Sequence, residues 1–178
     1  IFISAAQKQI DELDKKNLLV KTSKVNLLKN EVVLVTPISS KLAIKSYKDL
    51  VNKNVITIGI GEPKSVPAGQ YSIEIFNKLG ISEKIISKLV YGKDVRTILS
   101  WVETGNVDAG IVYKTDAISS DKVKVVSTAP KDSHAPVIYP AAIIADSKHQ
   151  NESKKFLKFL KSKKALDIFV KFGFSPIK

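Results

Sequence analysis

A chain of 178 residues with 44% hydrophobic and 26% charged side chains can bury a sizeable core and has the balance of a globular protein of one or two small domains. Zero cysteines exclude disulfides, zinc–thiolate sites and thiol catalysis, and two histidines, His134 and His149, leave little for a transition-metal cation. The net charge of +12 is spread over dispersed lysines with a single arginine, Arg96, and no basic run interleaved with aromatics, which argues against nucleic acid and for a solvated surface whose field favours anions.

No apolar run approaches the roughly 20 residues of a transmembrane helix. Ile1-Phe2-Ile3 is a strand-like opening, and Ser4-Ala5-Ala6 leads into a helix with Ile10, Leu13 and Leu18 as its apolar positions. Leu27-Leu28 and residues 31–35 give a β-rich run ending at Thr36-Pro37, and Tyr47 to Val51 predicts a short helical segment.

The next stretch organises the chain. A strand from Val55 to Ile60 breaks at Gly59 and Gly61, passes two prolines and enters a helix at Pro67-Ala68-Gly69, with Tyr71, Ile73, Ile75, Phe76 and Leu79 apolar and Gly80 as the stop. The first N–H groups of a helix have no internal acceptor and, with the macrodipole, attract an anion. The same pattern also fits glycines that only turn the chain.

Ser82 and Glu83 open a short helix, and Lys88 to Tyr91 reads as the following strand. Gly92-Lys93-Asp94 repeats the strand-to-helix turn: Asp94 is a good N-cap for a helix over Val95 to Glu103, with Ile98, Leu99 and Val102 apolar and Gly105 at the end. Val107 to Tyr113 is a third strand, followed by Lys114-Thr115-Asp116 as another cap. Alternating strands and helices predict a parallel α/β sheet whose ligands gather beyond the carboxyl ends of the strands, here marked by Ala68, Val95 and Tyr113.

Val123 to Val126 is a strand, and residues 128–136 form a polar, proline-rich loop. Val137 to Ile144 is an apolar run whose Pro140 confines it to a strand edge or a bend, and it is a candidate crossing between lobes. Helices over Glu152 to Leu160 and Ala165 to Lys171, with Gly173 ending the second, close the chain. There is no nucleophile elbow, Walker sequence, complete dinucleotide fingerprint or triad, so an enzyme is not expected. Asp108 and Asp116 read as turn and cap residues, and His134 as locally satisfied in its loop.

Residues 61–71 (Gly-Glu-Pro-Lys-Ser-Val-Pro-Ala-Gly-Gln-Tyr), Asp94-Val95-Arg96, Gly110-Ile-Val-Tyr113-x-Thr-Asp-Ala117 and Phe169 to Phe174 resemble the molybdate-binding protein family of bacterial ABC importers, from Phe2 to the end of the chain. The resemblance implies a type II periplasmic-binding-protein fold: α/β, with two lobes, each a central mostly parallel sheet flanked by helices. It implies that molybdate or tungstate, a tetrahedral oxyanion whose metal is reached only through its oxygens, is held between the lobes by the backbone N–H of Ala68, the backbone N–H of Val95 and the hydroxyl of Tyr113. It further implies an ABC permease as membrane partner, no cofactor, and an extracytoplasmic location in the periplasm or as a cell-surface lipoprotein, with the signal absent from this chain. A receptor for sulfate or phosphate, and an effector domain of a transcription regulator, stay open as alternatives.

The family's opening elements, an Ala-Ala-Ser helix start and a Gly-Ser-Ser-Gly turn that each give a serine to the anion, are not found in this sequence. The expectation is therefore a chain lacking the beginning of lobe one, with residues 1–34 and 137–178 forming an incomplete lobe one and residues 35–136 a whole lobe two. Self-association through the incomplete lobe and weak ligand binding are expected of it.

Overall fold

A computed structural model of the protein describes residues 1–177. In chain order its elements are β1 (Phe2–Ile3), α1 (Gln7–Lys15), β2 (Val25–Asn30), β3 (Val32–Pro37), β4 (Ile58–Gly61), α2 (Pro67–Lys78), α3 (Ser82–Ile85), β5 (Leu89–Gly92), α4 (Val95–Glu103), β6 (Ala109–Tyr113), α5 (Lys114–Ala117), β7 (Val123–Thr128), β8 (Val137–Ala142), α6 (Gln150–Leu160), α7 (Lys163–Lys171) and β9 (Ser175–Pro176). Tyr47–Val51 is a 3-10 helix held by a capping box between Ser46 and Asp49.

The chain forms two compact units, Ile1–Asn30 with the segment from Pro136 onward, and Glu31–Ala135. The first division falls between Asn30 and Glu31, four residues earlier than 34/35, because Val32 to Val35 pair with β6 while Val25 to Asn30 pair with β8. The return falls before β8, so the Val137–Ala142 strand lies wholly in the first unit and is not itself the crossing.

The first unit is a four-stranded sheet in the order β1-β8-β2-β9, with every ladder antiparallel. That corrects the expectation of a mostly parallel sheet here: β8 runs back between β1 and β2, so it opposes both neighbours. Pro140 sits on this inner strand at a register shift between Asn26 and Leu28, where the missing N–H is tolerated by the bulge. Leu27, Leu28, Ala141, Ile143, Leu157 and Leu160 form its core, and Ile10, Leu19 and Ala142 a second cluster under α1.

The second unit is a five-stranded sheet in the order β5-β4-β6-β3-β7. Its β5–β4 and β4–β6 ladders are parallel and its β6–β3 and β3–β7 ladders antiparallel, so the parallel sheet expected from the sequence is confined to the three strands that end at Gly61, Gly92 and Tyr113. Strand β3 is buried on both faces, with Val32, Val33, Leu34 and Val35 all at 0% exposure, which is why its sequence is continuously apolar and not alternating.

Helix α4 lies directly on the parallel strands. A Cβ on Gly92 would come within 2.6 Å of Ile98 Cδ1, and one on Gly110 within 2.6 Å of Val102 Cγ2, while Gly59 faces Ile98 Cγ2 at 3.2 Å. The strand does not break at Gly59 as expected; Gly59 is an interior residue of β4, and β4, β5 and β6 each give one glycine to the helix. Close helix–sheet packing, not a turn, is the work of these three residues.

Candidate functional site

The register of the parallel strands fixes the geometry. Gly61 pairs with Gly92, and Gly59 with Gly110, so β4, β5 and β6 finish side by side, β6 running slightly further to Tyr113. Ala68, Val95 and Tyr113 follow or close these three ends, and all belong to the second unit.

At the β4 end the chain passes Glu62 to Val66 and enters α2 with Pro67 at its first position. Glu62 O accepts the N–H groups of Ser65 (3.1 Å) and Val66 (2.8 Å), and Val66 O those of Gly69 (2.9 Å) and Gln70 (3.3 Å). Pro67 has no N–H, and Val66 cannot cap with its side chain. That leaves the N–H of Ala68, on a residue at 0% exposure, without an acceptor among the described residues. Buried backbone donors are almost always paired, which makes this N–H a candidate donor to a ligand.

Helix α4 is arranged differently. Asp94 caps it, its Oδ1 accepting the N–H of Thr97 at 2.7 Å and the Thr97 hydroxyl at 2.8 Å. These bonds, the backbone one first, hold the Asp94 carboxyl below its ordinary value, against the opposing effect of burial. Asp94 thus serves the third residue of the helix, and the N–H of Val95, at the first position, has no acceptor among the described residues. Tyr113, half-buried, ends β6 opposite Val32 and is the N-cap residue of α5. Beside it the N–H of Lys114 donates to Glu31 O at 2.9 Å, and the Lys114 ammonium pairs with the Glu31 carboxylate at 2.7 Å.

The structure therefore brings Ala68, Val95 and Tyr113 to one edge of one sheet. Asp108, read from the sequence as a turn residue, accepts the N–H groups of Ile56 (2.7 Å) and Thr57 (2.9 Å) and ties the entry of β4 to that of β6. His134 is exposed, with its Nδ1 2.6 Å from Ala135 O and its ring 5.3 Å from that of Tyr71, the local satisfaction expected of it. Two residues at this edge were not singled out for it: Arg96, directly after Val95, and Asp116, three after Tyr113. Asp116 is half-buried, and burial raises its carboxyl above its ordinary value, opposed by the Arg96 guanidinium and by the backbone N–H groups of Tyr113 and Asp116. Their positions, each within the first turn after a strand end, were the available signal.

No group of His, Cys, Asp and Glu suited to a metal cation occurs among the described residues. A cavity of about 650 Å³ in the first unit is lined by the apolar Val20, Val25, Ile143 and Leu157 together with polar side chains that include Lys154, Lys158 and Lys161.

Backbone donors at the ends of parallel strands, in a chain of two sheet-and-helix units, are the features of a ligand-binding protein. The chain belongs to the bacterial extracellular solute-binding protein family, whose model matches residues 1–175. It is a family of binding proteins and not of enzymes. The chain is 44% identical over 175 residues to a putative ABC transporter substrate-binding lipoprotein, YvgL, of Bacillus subtilis, covering 98% of this chain and 66% of that protein. It is 41% identical over 182 residues to the molybdate-binding protein ModA of Haemophilus influenzae, covering 98% and 70%. The solved substrate binding domain of a putative molybdenum ABC transporter from Clostridium difficile matches with a TM-score of 0.90 at 41% identity, covering 99% of this chain and 76% of that one. The chain thus spans about two thirds of the length of these curated relatives.

Proposed function

We propose that this chain is the greater part of an extracytoplasmic solute-binding protein that captures molybdate or tungstate and hands it to an ABC permease in the membrane. The observation that carries the reading is the pair of helix N-termini, at Ala68 and Val95, whose N–H groups lack acceptors at adjacent strand ends, in a chain 41% identical to a molybdate-binding protein. Ala68 and Val95 would each donate a backbone N–H to an oxyanion oxygen, and Tyr113 its hydroxyl.

The chemistry of this donor set suits a fully deprotonated tetrahedral oxyanion. Taking a dianion out of water is costly, and several fixed donors, two of them at the positive ends of helices, offset that cost without a compensating cation. A protonated oxyanion would bring its own O–H against donors and lose a bond. Fixed spacing of the donors then separates large anions from small ones.

Isothermal titration calorimetry with molybdate, tungstate, sulfate and phosphate tests the reading. Molybdate and tungstate are expected to bind and to outcompete the other two; equal binding of sulfate would reassign the protein to a general tetrahedral-oxyanion receptor, and no binding of any of the four would refute the site.

A further inference from the structure

Independently of the oxyanion reading, we propose that the cavity lined by α6 in the first unit is a second binding site, for an organic anion that carries its charge on an apolar body.

Three pieces of chain build the cavity. One is the 3-10 turn Lys21–Ser23, with Val20 before it and Val25, the first residue of β2, after it. The second is Ile143, just past β8 and 1% exposed. These two are tied together: Val20 donates its N–H to Ile143 O at 2.8 Å, and the buried Ser23 hydroxyl donates to Val20 O at 2.6 Å and accepts the Ile143 N–H at 2.8 Å. The third is α6 with its C-cap, which lines the space with Lys154, Leu157, Lys158 and Lys161. Their i, i+3, i+4, i+7 spacing puts all four on one side of the helix.

The charge here has one sign. No acidic residue lines the cavity. Lys154, Lys158 and Lys161 are exposed, and none of them forms an ion pair among the described residues. Glu152, the one acid of α6, falls on the opposite side of the helix from Lys161 at about 100° per residue, and Asp167 on α7 is paired with Lys163 at 2.9 Å. The macrodipole favours a cation in the last turn of α6, where Lys158 and Lys161 lie, but not as far back as Lys154, so it does not account for the stripe.

At about 650 Å³ the space has the size of a small-molecule site, with an apolar lining and lysines whose stems can lie along it while their ammonium groups stay in water. A bare tetrahedral dianion would gain nothing from Val20, Val25, Ile143 and Leu157, and solvated ammonium groups alone would hold it weakly. A cation would be repelled, and a neutral hydrocarbon would leave the lysines unused. Both halves are satisfied by a carboxylate or phosphate monoester on a short hydrocarbon chain or ring, its body against the apolar lining and its head among the ammonium groups.

Calorimetry on the full chain with sodium octanoate, at low and fixed ionic strength, tests the proposal. Saturable binding with a Kd of about 1 mM or tighter is expected. Going from hexanoate to octanoate should tighten it about fourfold per methylene. Octanamide, of the same length without the charge, should bind at least about tenfold more weakly, as should octanoate to the Lys154→Ala/Lys158→Ala/Lys161→Ala variant. Alanine suits a helix, so α6 should persist, and Lys155→Ala, an exposed lysine of the same helix outside the cavity, is the control expected to bind octanoate like the wild type. Saturating sodium molybdate should leave octanoate binding within about twofold, as for independent sites. If the triple variant does not fold, the comparison of octanoate with octanamide on the wild type decides alone. Octanamide binding as tightly as octanoate, a triple variant that binds like the wild type, displacement by molybdate, or no saturable octanoate binding would each overturn the proposal. Co-sedimentation with phosphatidylglycerol vesicles that the triple variant loses, without binding of free octanoate, would also overturn it by assigning these lysines to a membrane surface. The oxyanion site is read separately by titration with molybdate alone, and stands or falls by that.

Discussion

Gly69 and Gly61 are in contact across the turn that joins β4 to α2: a Cβ built on Gly69 would overlap the carbonyl oxygen of Gly61, and one on Gly61 would lie 2.5 Å from Val66 Cγ1. Both clashing groups are held in place, one as backbone of a buried strand and the other as a 7%-exposed valine at the N-cap of α2. The contact presses the first turn of α2 onto the end of the strand, which is what buries the Ala68 N–H at the sheet edge.

Gly69→Ala tests that contact by the sign of its effect. In an ordinary helix interior the change stabilises by about 1 kcal/mol. Here overpacking should win and destabilise by about 1 to 3 kcal/mol, read as a lower midpoint in urea unfolding, and should weaken oxyanion binding beyond that by displacing Ala68. A stabilised Gly69→Ala protein would show that the turn can relax without cost.

The acid limb of stability should carry the signature of Asp94. Its carboxyl is held below the ordinary value by Thr97, so the charged form is favoured on folding; the contribution is complete above the unfolded value of about 3.9 and is lost as pH falls through the lower folded value. Asp49 is lowered in the same sense, chiefly by the N–H of Lys45, whereas burial raises Asp116 and gives the opposite sign: its folded form favours the proton, so it destabilises once pH rises past the unfolded value. Asp94→Asn keeps a capping oxygen and removes the titration, so thermal melts taken from about pH 5 downward should fall less steeply for the variant than for the wild type. Parallel slopes would mean that the bond to Thr97 persists in the unfolded chain.

Much of this edge was legible because its signals are local. Asp94 before an apolar period, Pro67 at a helix start, and Gly80 and Gly105, both at positive φ just past helices, announce element ends within a few residues. What was not legible depends on partners far along the chain. The strand expected from Val55 begins at Ile58 because Asp108, about fifty residues on, takes the N–H groups of Ile56 and Thr57. The polar Lys29-Asn30-Glu31 interrupts the β-rich run from Val25 to Pro37, but nothing local distinguishes a change of sheet there from a turn within one sheet. Gly59 looked like a turn because its reason, the side chain of Ile98 across the sheet, is invisible in its neighbours.

Tyr113→Phe removes a hydroxyl and keeps the ring, so the packing against β3 and the cap of α5 should persist. If the hydroxyl donates to the oxyanion, affinity for molybdate should fall by about 1 to 3 kcal/mol with the melting temperature little changed. Unchanged affinity by calorimetry would make Tyr113 a packing residue only.

Val95→Pro deletes a single proposed donor and nothing else that the helix needs. Proline is preferred at the first position of a helix, where its fixed φ suits the turn and its missing N–H has no intrahelical acceptor. Asp94 before it is already extended, at φ −161 and ψ 170, as a residue preceding proline must be. The cap survives as well, because Asp94 bonds to Thr97 and not to Val95. Stability of the variant should therefore equal or slightly exceed that of the wild type, while an oxyanion that has lost one charge-assisted bond should bind more weakly by about 1.5 to 3 kcal/mol, roughly ten- to a hundredfold in Kd. Val95→Ala, which alters the side chain and keeps the N–H, is the control and should bind molybdate like the wild type. Were Val95→Pro to bind with undiminished affinity while Val95→Ala did not, the helix terminus would contribute through side-chain packing, and the assignment of the Val95 N–H as a donor would fail.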